Sequence, residues 1–502
     1  MIPTIDPAAV SDALRYAFSV LTQPGVNGHQ IRQITGWDYG FGGGYWYGAC
    51  SGYEWLDTDH MLLYPAAGQV DPPEGRVIGI NVVPQPVVVN LESGSVWLPR
   101  AHESTSPYNC NRVYWSRELG MLITTEEAGA QFSGNTGPIV VTYTFDGERL
   151  SHYWGELLDI APGGTKILVG DDTLIDLRND KIIDLAWYMN YDLERSSQIY
   201  WSLDGNRLYR CCYYFADLST GKSYNFDLSD LRRDNGSPGP SSMLPHEHGE
   251  WVRNDTYFLV EWSWVDDGDI GYLPLFNPAE NKYYDVYEMA GIAGDWHSYE
   301  NTISSDGRYV WSAGWGDDIG EGGYLINLFT FEARFYPTDG YGDVDWSADG
   351  TFAWLQSSGS GNDTARYHLL SVSETELKDL PVDPSSMSNF TWQDLWWHPA
   401  DDVLAYLSED GQKLELLNAQ TMSDQELALP TIFQYLAWSP MGKRIALLAK
   451  DSSLWQVDYP KLENLEQLTE PMPDVRDVFW SPDSSSLAFV GGSDIYIVDT
   501  MK

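Results

Sequence analysis

A short pattern recurs along this chain: an apolar stretch ending in Trp, then Ser, a variable residue, Asp and often Gly, then a second apolar stretch. It is clearest near the C-terminus, where Val478-Phe-Trp-Ser-Pro-Asp483 precedes Leu487-Ala-Phe-Val490. Leu436-Ala-Trp-Ser-Pro-Met-Gly442, Leu395-Trp-Trp-His-Pro399 and Val344-Asp-Trp-Ser-Ala-Asp-Gly350 are earlier copies. So are Thr302-Ile-Ser-Ser-Asp-Gly307 and Tyr200-Trp-Ser-Leu-Asp-Gly205. Weaker copies centre on Trp55, Trp115, Ile160 and Trp251. A repeat of this kind constrains the fold more than any composition, because each unit must stack on its neighbours to bury its apolar faces.

From Ile160 onward the anchors stand at residues 160, 201, 251, 304, 346, 397, 438 and 480, roughly 40 to 50 residues apart. That is the period of four-stranded propeller blades. The physics of the unit agrees. Trp ends one strand and can wedge between sheets. Ser and Asp bond local backbone N–H groups, and Gly accepts a positive φ at the turn. A third strand follows, such as Tyr324-Leu-Ile-Asn-Leu328 or Ser493-Asp-Ile-Tyr-Ile-Val-Asp499, and then a more polar fourth such as Leu465-Glu-Gln-Leu-Thr469. The last unit lacks a fourth strand, and Ile31-Arg-Gln-Ile-Thr35 closely copies Leu465-Glu-Gln-Leu-Thr469. The N-terminal strand is therefore expected to complete the final blade and close the ring, leaving no open edge.

The expectation is an all-β fold, a β-propeller of four-stranded blades with about ten units, seven to ten being compatible with the spacing. Residues 1–30 read as an extension with a short helix, since helical period is confined to roughly residues 6 to 22, and residues 31–502 as the propeller. The Gly/Pro/Ser-rich segment 230–249 reads as a long loop or linker. Two fused rings, or fewer blades with insertions, are the competing organisations; the latch favours one ring.

The Trp-Ser-Pro-Asp turn resembles the TolB-like, WD-related propeller repeat, on Trp201, Trp346, Trp438 and Trp480 with their following turns. His398 and Ser304 depart from the pattern. The resemblance implies the propeller fold. It implies no Tol-system role, since TolB carries a separate α/β domain ahead of its propeller and only residues 1–30 precede the first strand here.

Composition enters where function is concerned. With 73 Asp+Glu against 29 Lys+Arg the net charge is −44, which excludes a nucleic-acid binder and disfavours anionic lipid. The 14% aromatic content marks the acidic chain as globular. No run is long and apolar enough to span a membrane. The N-terminus as given has no basic segment ahead of its apolar run, so no signal peptide is read. Cys50 and Cys110 can pair in an oxidising compartment, while Cys211 and Cys212 are adjacent and point to opposite faces of a strand. No CxxC, P-loop, dinucleotide, HExxH or GxSxG motif occurs, which removes the α/β-hydrolase partner that some propellers carry.

If the units are blades, second-to-third loops and segments entering first strands share one rim. Trp296, His297, Tyr341, Asp343, Trp392, Tyr435, Arg476 and Asp477 gather there as candidate ligand-binding residues. Asp266, Asp267, Asp269, Asp317, Asp318 and Glu321 are the candidate cation ligands, with oxygen donors suited to Ca²⁺. Inter-blade packing and solvated turns are the plainer account of the same residues. His246-Glu-His248 has the spacing of a metal pair but falls in the probable loop. The leading functional expectation is a non-enzymatic binding or scaffold propeller, outside the cytoplasm or at a cell surface, recognising a protein or glycan through an acidic, aromatic rim. The alternatives are a propeller lyase or glycan hydrolase with funnel carboxylates or a metal, and a structural subunit awaiting a basic partner.

Overall fold

The computed structural model describes residues 19–35, 52–64, 86–97, 99, 113–127, 137–170, 173–184, 199–210, 214–225, 248–253, 255–261, 273–280, 282–292, 296–338, 344–357, 366–380, 395–492 and 494–501. Within them the chain is an all-β propeller of ten antiparallel sheets, nine of four strands and one of five. Each four-stranded sheet is a meander, its strands neighbouring in chain order. The blades cover residues 52–97, 114–154, 157–184, 199–225, 248–285, 296–337, 344–379, 396–428, 433–467 and 476–499, and are numbered one to ten in that order. Among the described residues the α-helix is a single turn, Val286–Met289.

All ten sequence anchors lie at the end of a first strand, within it, or directly after it, from Trp55 in Gly52–Trp55 to Trp480 in Arg476–Trp480. The turns work as their residues require. Ser202, Ser347 and Ser481 are fully buried. Their hydroxyls donate to Asp204, Asp349 and Asp483 at 2.6, 2.9 and 2.7 Å. The same oxygens accept from the N–H of Arg207, Phe352 and Ser486 at 2.8, 3.1 and 2.9 Å. Burial opposes charge on these aspartates, but the hydrogen bonds to Ser side chains and turn N–H groups outweigh it. All three carboxyls sit below the ordinary carboxylate range.

The tryptophans bridge blades as well as filling them. Trp251, Trp397 and Trp480 each donate from Nε1 to a carbonyl of the preceding blade, on Tyr200, Asp345 and Ala437, at 3.1 Å in every case. The acceptor is each time the residue just before the previous blade's anchor Trp. Trp346 follows the blade whose anchor is Ser304, and its buried Nε1 has no partner among the described residues.

The chain divides into two compact units, residues 1–188 with 434–502, and residues 189–433. In the first, blades nine and ten share a core around Leu448, Leu454, Trp480 and Phe489. Ten and one share Ile34, Ile495, Met61 and Val89. Blades one and two meet through Leu62, Val88, Leu122 and Val141, and two and three through Ile123, Val140, Ile167 and Ile175. In the second unit, blades four to eight pack in the same serial way.

Blade ten joins the two ends of the chain. Strand Gln30–Thr35 pairs antiparallel with Asp494–Asp499, with Ile31 opposite Val498 and Ile34 opposite Ile495. Arg32 pairs with Asp499 at 2.7 Å and Gln33 with Asp494 at 2.8 Å. The buried His29 ring holds the Asp499 carbonyl at 2.7 Å. A further strand, Ser19–Pro24, lies outside the latch, pairing Ser19 with Thr35 and Pro24 with Gln30. Residues 19–22, where the apolar spacing predicts helix, are thus extended; the rest of that stretch lies outside the described residues. Residues 226–247 and all four cysteines also lie outside them. Residues 248 and 249, at the end of the expected loop, begin the first strand of blade five.

Candidate functional site

Blade six is built from longer strands than its neighbours. Trp296–Ile303, Tyr309–Gly316 and Gly320–Asn327 each have eight residues, against three in Val344–Trp346 and six in Phe352–Ser357. The glycines allow large rings to lie on this sheet. A Cβ at Gly314 would run into the His297 carbonyl and the Trp296 ring, and one at Gly323 into the Trp311 ring. Trp296 is 2% exposed, edge-on to Tyr324 at 4.8 Å and to Phe335 at 6.1 Å. Its Nε1 donates to Ser312 Oγ at 3.2 Å, and that hydroxyl also meets the buried Tyr287 phenol at 2.8 Å. Burial pushes the Tyr287 phenol above its ordinary range. Trp296 is thus a core wedge of blade six.

The next residue turns to the other face. His297 is the cross-strand partner of Trp315, which in turn faces Glu321. The His297 and Trp315 rings stack at 4.2 Å between centroids and 12° between planes. Both are half-buried, while Asp317, Asp318 and Glu321 on the adjoining hairpin are exposed, with Ile319 44% exposed among them. Asp317, Asp318 and Glu321, half of the expected cation set, therefore lie on the hairpin that carries Trp315, with His297 on the strand alongside. Trp315 was not among the sequence candidates. What would have pointed to it is strand register, which pairs it with His297.

A second group lies in the other unit. Tyr435, on the first strand of blade nine, packs against the core shared with blade ten. Burial, followed by the negative charge of Asp477, pushes its phenol up to about 12. Asp477 adopts a φ of 51°, and its carboxylate lies 3.8 Å from Arg476 Nε. Tyr435, Arg476 and Asp477 are thus brought together, apart from the His297 group in sequence and in unit. Tyr341, Asp343, Trp392, Asp266, Asp267, Asp269 and His246 lie outside the described residues. His248 is on the first strand of blade five. Among the described residues, no three His, Cys, Asp or Glu side chains form a group able to hold a metal ion, and no helix is long and apolar enough to cross a membrane.

No protein-family model matches the chain, and no curated protein matches it. Solved structures do. The C-terminal WD40 domain of Sif2 is 10% identical, with 90% of this chain and 95% of that one covered at a TM-score of 0.35. A eukaryotic initiation factor is 11% identical, with 77% and 94% covered at 0.40. The β-propeller domain of Myceliophteria thermophila Cps50 (Swd1) is 14% identical, with 70% and 98% covered at 0.26. Likeness at this level assigns no ligand or activity.

Proposed function

We propose that this chain is a WD-related binding and scaffold propeller that takes a protein or glycan ligand on the rim of blade six. The observation that carries the reading is the stacked His297–Trp315 pair beside the exposed carboxylates of Asp317, Asp318 and Glu321. A flat indole face suits the apolar face of a sugar ring or the side chain of a Lys or Arg. Neighbouring carboxylates accept hydrogen bonds from hydroxyls or pair with cationic side chains. The turn chemistry supports grouping the repeat with TolB-like propellers. The acidic, lysine-poor composition supports a place outside the cytoplasm or at a cell surface, with 10 Lys in the whole chain.

The test is binding of the full chain to glycan and basic-peptide panels at low ionic strength. One of the two panels should give a ligand, and Trp315→Ala should weaken that ligand at least about tenfold, as loss of a stacking anchor does. Asp318→Asn together with Glu321→Gln should weaken a peptide ligand more than a neutral glycan. Binding unchanged by Trp315→Ala, or no ligand in either panel, rejects the reading.

A further inference from the structure

We propose that Ser357 is a nucleophilic serine, activated by His368 and oriented through Asp379, that is acylated by small carboxylic esters. This inference does not rest on the binding role above, and either can fail without the other.

The three residues form one hydrogen-bonded line within blade seven. His368 Nε2 lies 3.1 Å from Ser357 Oγ, and His368 Nδ1 lies 2.9 Å from Asp379 Oδ1. Sheet register builds this line. Leu355 is the cross-strand partner of His368, which is the partner of Asp379. Ser357 stands two positions along from Leu355 and so projects from the same face. A carboxylate only accepts, so Nδ1–H of His368 donates to Asp379, and in that tautomer Nε2 is left as the acceptor for the Ser357 hydroxyl. The alternative acceptor for that hydroxyl, the Arg366 carbonyl, is farther away at 3.5 Å. Serine, base and orienting group thus hold the roles of a nucleophile triad, recognised by geometry and not by any linear motif.

The line faces blade six. Ala353, Leu355 and Leu370, on the same face as Ser357 and His368, pack in one core cluster with Trp311, Ala313, Leu325 and Tyr336 of blade six. Trp315 continues the Trp311 and Ala313 face, and Ser357 occupies the position of Gly314 counted from the turn aspartates Asp349 and Asp306. The Ser357 side chain therefore lies between the packed faces of blades six and seven, at the level between Ala313 and Trp315 and at the end of the second strand of blade seven. Ser357 is 3% exposed, which favours a small acyl group.

The chemistry balances with water as the second reactant. Ser357 Oγ bonds to the acyl carbon while Nε2 of His368 takes the hydroxyl proton. The ester C–O bond breaks, and the proton passes to the departing alcohol. Water then attacks the acyl-serine, gives a proton to Nε2, and releases the carboxylic acid as Oγ regains its hydrogen. Ser357 and His368 are the catalytic residues. Asp379, 82% exposed, acts as a positioning residue whose pull on the ring is screened by solvent.

The experiment is fluorophosphonate labelling of the full chain, with the labelled peptide located by mass, and a p-nitrophenyl acetate assay for a burst of one equivalent. Label is expected at Ser357, faster than in the heat-unfolded chain. Ser357→Ala should abolish it, and His368→Gln, which fills a similar space without a base, should slow it by at least about 100-fold. Asp379→Asn should lower the maximal rate by less than about tenfold without moving the half-saturating probe concentration, and Asp379→Glu should restore it. Native circular dichroism of each variant separates loss of chemistry from loss of fold. Label on another residue, labelling no faster than in the unfolded chain, or His368→Gln at the wild-type rate in a folded variant overturns the proposal.

Discussion

The repeat assigns each Trp a position, but the bond made by its indole N–H depends on the blade before it. Trp480 and Trp346 are similarly buried, at 8% and 6% exposed. Trp480 donates to the Ala437 carbonyl, whereas Trp346 Nε1 is buried without a partner among the described residues. Trp→Phe removes comparable volume at both sites. It also breaks a hydrogen bond at position 480, while at 346 it relieves an unsatisfied donor. Trp480→Phe should therefore destabilise the chain by about 1–2 kcal/mol more than Trp346→Phe, read as a larger drop in thermal midpoint. Equal shifts would show that the indole N–H contributes nothing at either place. The wedges and their Ser–Asp turns were legible because each lies in a short stretch of sequence. The His297–Trp315 stack and the Ser357–His368–Asp379 line were not, because they depend on register between strands, which a linear pattern does not carry.

At the scale of elements, the latch is legible in the likeness of Ile31–Thr35 to Leu465–Thr469, and the strand outside it is not. Ser19–Pro24 lies in a stretch whose apolar spacing fits a helix turn about as well as a strand, so a vacant edge on Gln30–Thr35 decides its conformation. Tertiary pairing wins over so weak a local preference. The latch is held by more than backbone bonds. Ile31 and Ile34 are 6% and 0% exposed, and burial of each contributes roughly 1.5–3 kcal/mol. Deleting residues 1–35 would leave strand Asp494–Asp499, with its buried Ile495 and Ile497, as an open edge. The truncated chain should self-associate in size-exclusion chromatography, and a synthetic peptide of residues 19–35 should return it to the elution volume of the full chain. An unchanged elution volume for the truncated chain would mean that the edge is covered by other means.

Over the whole molecule, the blades account for the aromatics, while the charge calls for a separate explanation. Turn carboxylates such as Asp204, Asp349 and Asp483 are held by hydrogen bonds and belong to the repeat, yet the balance of −44 far exceeds what such turns supply. Like charges at this density repel across the surface and oppose the compact state. Screening length falls from about 10 Å at 0.1 M salt to about 3 Å at 1 M, so added salt relieves that repulsion. It also weakens exposed ion pairs such as Lys413–Glu426 and Arg178–Glu118, but pairs of that kind contribute little. Repulsion summed over the surface should outweigh them. The thermal midpoint should therefore rise with NaCl, mostly below about 0.3 M, where screening changes fastest. A midpoint that is flat or falling over that range would show that the carboxylates are already compensated in the fold. A rise would fit two settings, a saline habitat or a basic partner that supplies the missing cations. The two separate at low salt: a basic partner, or a poly-lysine stand-in, should raise the midpoint there and lose that effect above about 0.3 M.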